Sequence, residues 1–282
     1  MRLVYGVDGR RHRVELADSN RLHFGANAVL SRPPWDVTCD RPWYRRGYST
    51  SRVFSEGEFA RLKAELTDSV GNLLRGRGAR TDGFSLEGYH RFVDRDDDHR
   101  QVVSATRALF PSDFGFDLVA VRDRLSALMG FPLSDRDPDS GRVEPIVVRV
   151  NRPRSTDFNP PHKDVYEVVD GEGRLPRFVN FWIPVAGVTS RSSLPIVPGS
   201  HLLPESRIER TTEGATVEGN DYRVRCVASW NARRELLRAP VEDGEVLVFS
   251  SFLIHGLAIN EEPDTTRVAL ELRLYPAGSR DR

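Results

Sequence analysis

Two periodicities divide the chain. In "GYSTSRVFSEGEFARLKAELTDSVGNLL" a short strand gives way to Ser55 as N-cap, Glu58 three residues on, and Phe59, Leu62, Leu66, Val70 and Leu73 at helical spacing. "FDLVAVRDRLSALMG" repeats the helical pattern with Leu118, Val121, Leu125 and Leu128 before Gly130 stops it. From Glu144 onward the pattern shifts to short alternating runs, "EPIVVRVN", "RFVNFWIPV", "SLPIVPGS", "DYRVRCVAS", "GEVLVFSS" and "TTRVALELRLY", punctuated by Gly, Pro and Asp. Such strands predict a mainly β fold of sandwich or barrel type, braced by helices that each need a sheet to cover. The charged stretch "RFVDRDDDHRQ" reads as an exposed segment and "DRDPDSGR" as a loop.

Alternation also assigns faces. In "RVALELRL" Arg267, Ala269, Glu271 and Arg273 share one face and Val268, Leu270, Leu272 and Leu274 the other. The polar face should look into a barrel, and the apolar face should meet the helices. "RFVNFWIPV" places Asn180 and Trp182 opposite Val179, Phe181 and Ile183, and Arg149 and Asn151 share a face in "VVRVN". In "FNPPHKDVYEV", read as a strand, His162 and Asp164 point the same way and Lys163 the opposite way.

Composition removes some partners. With 282 residues and 39% hydrophobic content the chain can bury a sizeable core. Its 41 basic and 41 acidic residues cancel, so no long-range field gathers nucleic acid or an acidic membrane. Lys63 and Lys163 are the only lysines, a skew that suits genomic base composition better than an arginine-based binding strategy. Two cysteines, Cys39 and Cys226, are too few for a disulfide framework or a thiolate metal site. No signal-peptide core or membrane span is legible, so the expectation is a cytoplasmic protein, with its oligomeric state left open.

The chemistry gathers around histidines. His255 ends the apolar strand "VFSSFLIHGLAIN", and Arg267 heads the last strand. Two histidines and one carboxylate can occupy one face of an octahedral metal and leave positions open, as in non-haem Fe(II) oxygenases. An arginine fork can hold the far end of a dicarboxylate. His201, in "PGSH", reads as structural or substrate-adjacent, and His12, His23, His90 and His99 as ordinary histidines.

The run "PPHKDVYE", "RFVNFWIPVAGVTSRSSLPIVPGSHLLPE" and "EDGEVLVFSSFLIHGLAINEEPDTTRVALELR" resembles the phytanoyl-CoA dioxygenase-type branch of the Fe(II)- and 2-oxoglutarate-dependent oxygenases. The resemblance covers roughly residues 144 to 276, with "GYSTSRVFSEGEFARL" similar to the family's first strand and helix. It implies a double-stranded β-helix, a cupin-like jelly roll, with residues 1–143 as N-terminal extension and helical support and 144–282 as catalytic core. It implies His162, Asp164 and His255 as iron ligands and Arg267 on the distal carboxylate of 2-oxoglutarate. Trp182 matches a position beside that cosubstrate, and Asn180 is a candidate donor to its metal-chelating end. The implied reaction consumes O2, releases succinate and CO2, and hydroxylates an unactivated C–H bond; the carboxylate of Asp164 argues against halogenation.

For the substrate, the segment 202–240 is rich in charge and is expected to cover the barrel mouth as an insertion. With Glu271 and Arg273 facing inward, and Arg149 and Lys163 as further candidates, the cavity suits a polar metabolite better than a long acyl chain. An acyl-CoA hydroxylase of the same family, a non-catalytic jelly-roll binding protein, and a zinc hydrolase or cupin isomerase are the alternatives. The zinc reading leaves Arg267 without a task.

Overall fold

In the computed structural model, which describes residues 1–25, 36–106, 114–166 and 177–278, the alternating runs pair into curled sheets. The chain opens with a hairpin, β1 (Arg2–Val7) and β2 (Arg10–Glu15), then β3 (Leu22–Phe24) and β4 (Tyr48–Arg52). The helices α1 (Glu56–Gly76), α2 (Asp96–Thr106) and α3 (Leu118–Met129) follow. Next come β5 (Leu133–Ser134), β6 (Val147–Asn151), β7 (Val179–Ala186), β8 (Pro195–Ile196), β9 (Ile208–Thr211) and β10 (Ala215–Val217). The last are β11 (Asn220–Tyr222), β12 (Val227–Trp230), β13 (Glu235–Arg238), β14 (Glu245–Ser250) and β15 (Arg267–Pro276).

The largest sheet runs β4-β14-β7-β15, with β6 and β5 pairing successive parts of the far edge of β15. Opposite it lie the sheet β8-β13-β1-β2, the sheet β12-β9-β3 and the hairpin β10-β11. The architecture is the jelly roll of a double-stranded β-helix. The front of the chain does more than supply helices, because β1 runs parallel to β13 and its hairpin extends the second sheet. Within residues 202–240 the chain forms β9 to β13, so this segment is built into the sheets.

Helix α1 begins where a capping box predicts it. The Ser55 side chain accepts from the Glu58 backbone N–H, and the Glu58 carboxylate accepts from the Ser55 N–H at 2.9 Å. Its buried stripe is Phe59, Leu62, Leu66, Val70 and Leu74, the last replacing the Leu73 expected from spacing alone. This stripe shares a core with Phe181 and Ile183 of β7, Val246 and Val248 of β14, and Val268, Leu270 and Leu272 of β15. Helix α3 is capped by the Asp117 side chain and ends at Gly130, whose φ of 72° is a left-handed conformation that favours glycine. Apolar residues thus line the outer face of the large sheet, and the polar positions of β7 and β15 are left to face inward.

One expectation fails. The stretch "RFVDRDDDHRQ" is not simply exposed: it enters α2, whose face of His99, Val102 and Thr106 is buried. Asp96, Asp97 and Asp98 occupy the first turn, where the helix dipole favours negative charge. Among the described residues no helix is long and apolar enough to cross a membrane.

Leu66 is fully buried under the sheet, so Leu66→Ala should destabilise the protein by about 2–5 kcal/mol. Ser55→Ala, which removes only the cap, should cost about 1 kcal/mol. Urea denaturation midpoints check both, and an equal or reversed ranking would contradict the packing of α1.

Candidate metal centre and its cavity

The segment that carries His162 is not a regular strand. Pro160 and Pro161 have no N–H to donate to a ladder, and the pairing that survives is a single bridge to His255. There the His162 N–H donates to the His255 carbonyl at 2.8 Å and the His255 N–H donates back at 3.0 Å. Asp164 to Tyr166 then turn as one 3-10 loop, and the remainder of the predicted strand, beyond Tyr166, lies outside the described residues. Gly256 follows the bridge with φ 122°, and a Cβ there would lie 2.5 Å from the Pro160 carbonyl oxygen. The close approach of the two segments therefore requires glycine.

The turn of "PGSH" supports the same bridge. Ile196 of β8 also bridges His255, and the Ser200 hydroxyl accepts from the Ile254 N–H at 2.8 Å. His201 packs edge-on against Tyr44, 4.8 Å between ring centroids, and is not one of the convergent groups.

The two imidazole rings are aimed by carbonyls. His162 Nδ1 lies 2.7 Å from the Pro160 oxygen and His255 Nδ1 3.0 Å from the Leu253 oxygen. Carbonyls only accept, so each ring donates from Nδ1 and keeps its Nε2 lone pair for a metal. The Nε2 atoms face Asp164, His162 at 3.6 Å from Oδ1 and His255 at 3.6 Å from Oδ2. One ligand atom from each residue falls within 4.8 Å of the others, and all three residues are buried. Burial pushes the His255 imidazole down to about 4, against the pull of Asp164, so it is neutral near pH 7.

Asp164 is held from both sides. Asn180 Nδ2 donates to Oδ2 at 2.6 Å and Arg273 Nη2 to Oδ1 at 2.9 Å. Burial would raise this carboxyl, but Arg273, His255 and His162 outweigh it and hold the group well below the usual carboxylate range. Two imidazoles that each turn Nε2 inward and one carboxylate, converging in a buried site, fit a divalent cation with open positions. Asn180, expected toward the cosubstrate, and Arg273, expected toward the substrate, both contact Asp164.

Arg267 faces the same interior from the head of β15. Its Nη2 donates to Asn151, its guanidinium carbon lies 5.6 Å from the Trp182 ring centroid, and it is 2% exposed. Nε and Nη1 are buried without a hydrogen-bond partner, and no carboxylate pairs with it among the described residues. Burial, aided by Arg149 and Arg238, pushes this guanidinium down to about 9. A buried cation with orphaned donors fits an incoming carboxylate. Arg149 and Glu271, by contrast, satisfy each other through two contacts of 2.8 and 3.2 Å, and Glu271 lies 4.0 Å from Arg273.

These groups line a cavity of about 540 Å³ with His162, His255, Trp182 and Arg267 on its wall. The tip of the β10-β11 hairpin and one side of α2 line it as well. His99 on α2 is no ordinary surface histidine: it bonds the Tyr89 hydroxyl at 3.1 Å and lies 3.3 Å from Asp157. Arg152 grips Asp157 with two contacts and reaches Asp96, tying α2 to β6. The spacing of His99, Val102 and Thr106 at i, i+3 and i+7 was the available helical signal. Lys163 does not line the cavity. Fully buried on the other side of the ligand turn, it bonds Glu205 at 2.8 Å, which also accepts from Tyr166 at 2.7 Å. The period-2 reading that pointed it away from His162 describes it better than a substrate contact does.

The sequence profile of the phytanoyl-CoA dioxygenase (PhyH) family matches residues 44–267. A 1-deoxypentalenic acid 11-beta-hydroxylase of Streptomyces arenae is 30% identical over 126 residues, which are 43% of this chain and 42% of that protein. The match thus spans under half the length of that relative. Among solved structures, AviO1 from Streptomyces viridochromogenes Tue57 superposes with a TM-score of 0.48 at 19% identity, covering 92% of this chain and 98% of that one. The epimerase SnoN in complex with Fe3+, alpha ketoglutarate and nogalamycin RO gives 0.46 at 17% identity, covering 83% and 81%. EctD from S. alaskensis in its apoform gives 0.47 at 16% identity, covering 95% and 86%.

His99 yields a pH prediction. Burial pushes it from 6.5 down to about 4, so between those values the unfolded chain binds the proton more tightly than the folded one. Stability of the metal-free protein should fall as pH drops from 6.5 toward 4. In His99→Gln that part of the profile should be flatter, as measured by melting temperature against pH.

Proposed function

Because the chain belongs to the phytanoyl-CoA dioxygenase family, we propose that it is an Fe(II)- and 2-oxoglutarate-dependent hydroxylase of a polar small molecule. The observation that carries this reading is three convergent metal-ligating side chains, with His162 and His255 on the wall of a cavity that also holds a buried arginine without an acidic partner among the described residues. His162 and His255 would hold the metal through Nε2, and Asp164 would supply the anionic ligand. Bound Fe(II), with 2-oxoglutarate and O2, supplies oxidation of a C–H bond and releases succinate and CO2.

The chain's own contribution is placement. Arg267 pairs with the distal carboxylate of the cosubstrate, and Asn151 and Trp182 keep its fork from swinging. The buried imidazoles are aimed by backbone carbonyls and keep Nε2 available as a ligand atom. The cavity wall selects which C–H bond is presented. That wall carries Arg149, Glu271, Arg152 and Asp157 as satisfied ion pairs, together with the polar tip of the β10-β11 hairpin. Seating a long aliphatic chain there would strip water from these charges without replacing their contacts. A hydroxylated or amide-bearing metabolite fits better than an acyl-CoA.

Three measurements test the reading. Protein reconstituted anaerobically should bind one Fe(II) and, once O2 is admitted, turn over 2-oxoglutarate, and Asp164→Ala should lose both binding and turnover. Succinate release against a panel of polar metabolites and acyl-CoAs then decides substrate class, and coupled turnover with long-chain acyl-CoA alone would overturn the polar assignment. Arg267→Ala leaves the cosubstrate carboxylate without its charge-assisted partner, at a cost of about 2–5 kcal/mol. The KM for 2-oxoglutarate should therefore rise about 30-fold or more; an unchanged KM would place the anchor elsewhere.

A further inference from the structure

Asn180 and Arg273 face each other directly across the β7-β15 ladder, and both send donors to the same carboxylate. They take different oxygens: Asn180 meets Oδ2, the one nearer His255, and Arg273 meets Oδ1, the one nearer His162. The carboxylate of Asp164 is thereby fixed in plane and rotation by a single cross-strand pair. The two donors are not equivalent. Asn180 is fully buried and neutral, whereas Arg273 brings a positive charge, approaches the Phe178 ring at 5.3 Å and is 18% exposed at its side chain.

We propose that Asn180 and Arg273 are positioning residues that clamp Asp164 in its ligating orientation, and that Arg273 is also the carboxylate's counter-ion in the metal-free protein. The inference rests on the metal-centre reading of His162, Asp164 and His255. Without a metal, a fully buried carboxylate needs a compensating charge, and Arg273 is the cation in contact with it. With a divalent cation on the same carboxylate, the guanidinium becomes a like-charged neighbour. Arg273 thus preserves the shape of the metal-free site and opposes the metal's charge, while Asn180 only orients. The two residues should have opposite effects on metal affinity, which a purely structural role for either would not produce.

Calorimetric titration of metal-stripped protein with Ni(II), a redox-inert probe, tests this alongside melting temperatures with and without Ni(II). Asn180→Ala frees the carboxylate and should weaken Ni(II) binding by about 10- to 100-fold. Arg273→Gln keeps an amide donor but removes the charge, and should tighten binding by about tenfold. Its melting temperature should drop more in the metal-free form than in the Ni(II)-saturated form, because the metal replaces the lost counter-ion. Arg273→Lys, which keeps the charge, should return both values toward wild type. Weaker or unchanged binding by Arg273→Gln, or equal loss of melting temperature in both forms, would overturn the counter-ion role. If Arg273→Gln does not fold, Asn180→Ala decides the clamp, and unchanged affinity overturns it. Failure of the wild type to bind Ni(II) would instead sink the underlying metal assignment.

Discussion

Two reciprocal backbone hydrogen bonds between His162 and His255 hold the centre of this molecule together. The residues are far apart in sequence, and neither sits in a long strand. The Pro160-Pro161 pair prevents the first segment from zipping further, and Gly256 lets the second pass close by. On its other side His255 is bridged by Ile196, so the second histidine is pinned between two segments. The carbonyls that orient the rings belong to the same short stretches, two residues before each histidine. Backbone pairing therefore determines both where the imidazoles are and which nitrogen each presents.

Around that bridge the large sheet separates two environments. Its outer face is covered by α1 and the rest of the helical layer, and its inner face carries charge into a poorly solvated barrel. Buried charge is tolerable when each group is paired. Arg149 has Glu271 and Arg273 has Asp164, but among the described residues Arg267 has only the Asn151 amide and the face of Trp182. This imbalance is what supports the proposed role of Arg267 as the anchor for a ligand carboxylate.

Much of this was legible from periodicity. The alternation in β15 placed Arg267, Glu271 and Arg273 on one face because the two faces of that strand differ so sharply in polarity. The capping box at Ser55 and the stop at Gly130 were local signals that needed no tertiary information. What alternation could not supply was register. Asn180 and Arg273 were assigned to different ligands, yet the ladder sets them opposite one another and so onto one carboxylate. Helix α2 was missed for a related reason: its charges dominate the composition, while the buried face amounts to one histidine, one valine and one threonine. Alternation predicts a strand at His162, the double proline breaks it, and the convergence of His162 with Asp164 survives because the turn brings the carboxylate round.

Register also explains how one strand can place two arginines in different surroundings. Arg273 stands opposite Asn180 of β7, and Arg267 stands opposite Asn151 of β6. Each arginine is thus matched with an asparagine across the ladder, on opposite edges of β15. The first pair meets a carboxylate the chain itself provides; the second retains orphaned donors. Six residues, an even number, separate the arginines, which keeps both on the inner face. A one-residue slip of β15 would turn both guanidiniums toward the apolar layer under α1 and bring leucines into the barrel, so the burial of Val268, Leu270, Leu272 and Leu274 enforces the placement of the charged site. The hydrophobic layer and the polar centre are two consequences of the same register, and neither can shift without the other.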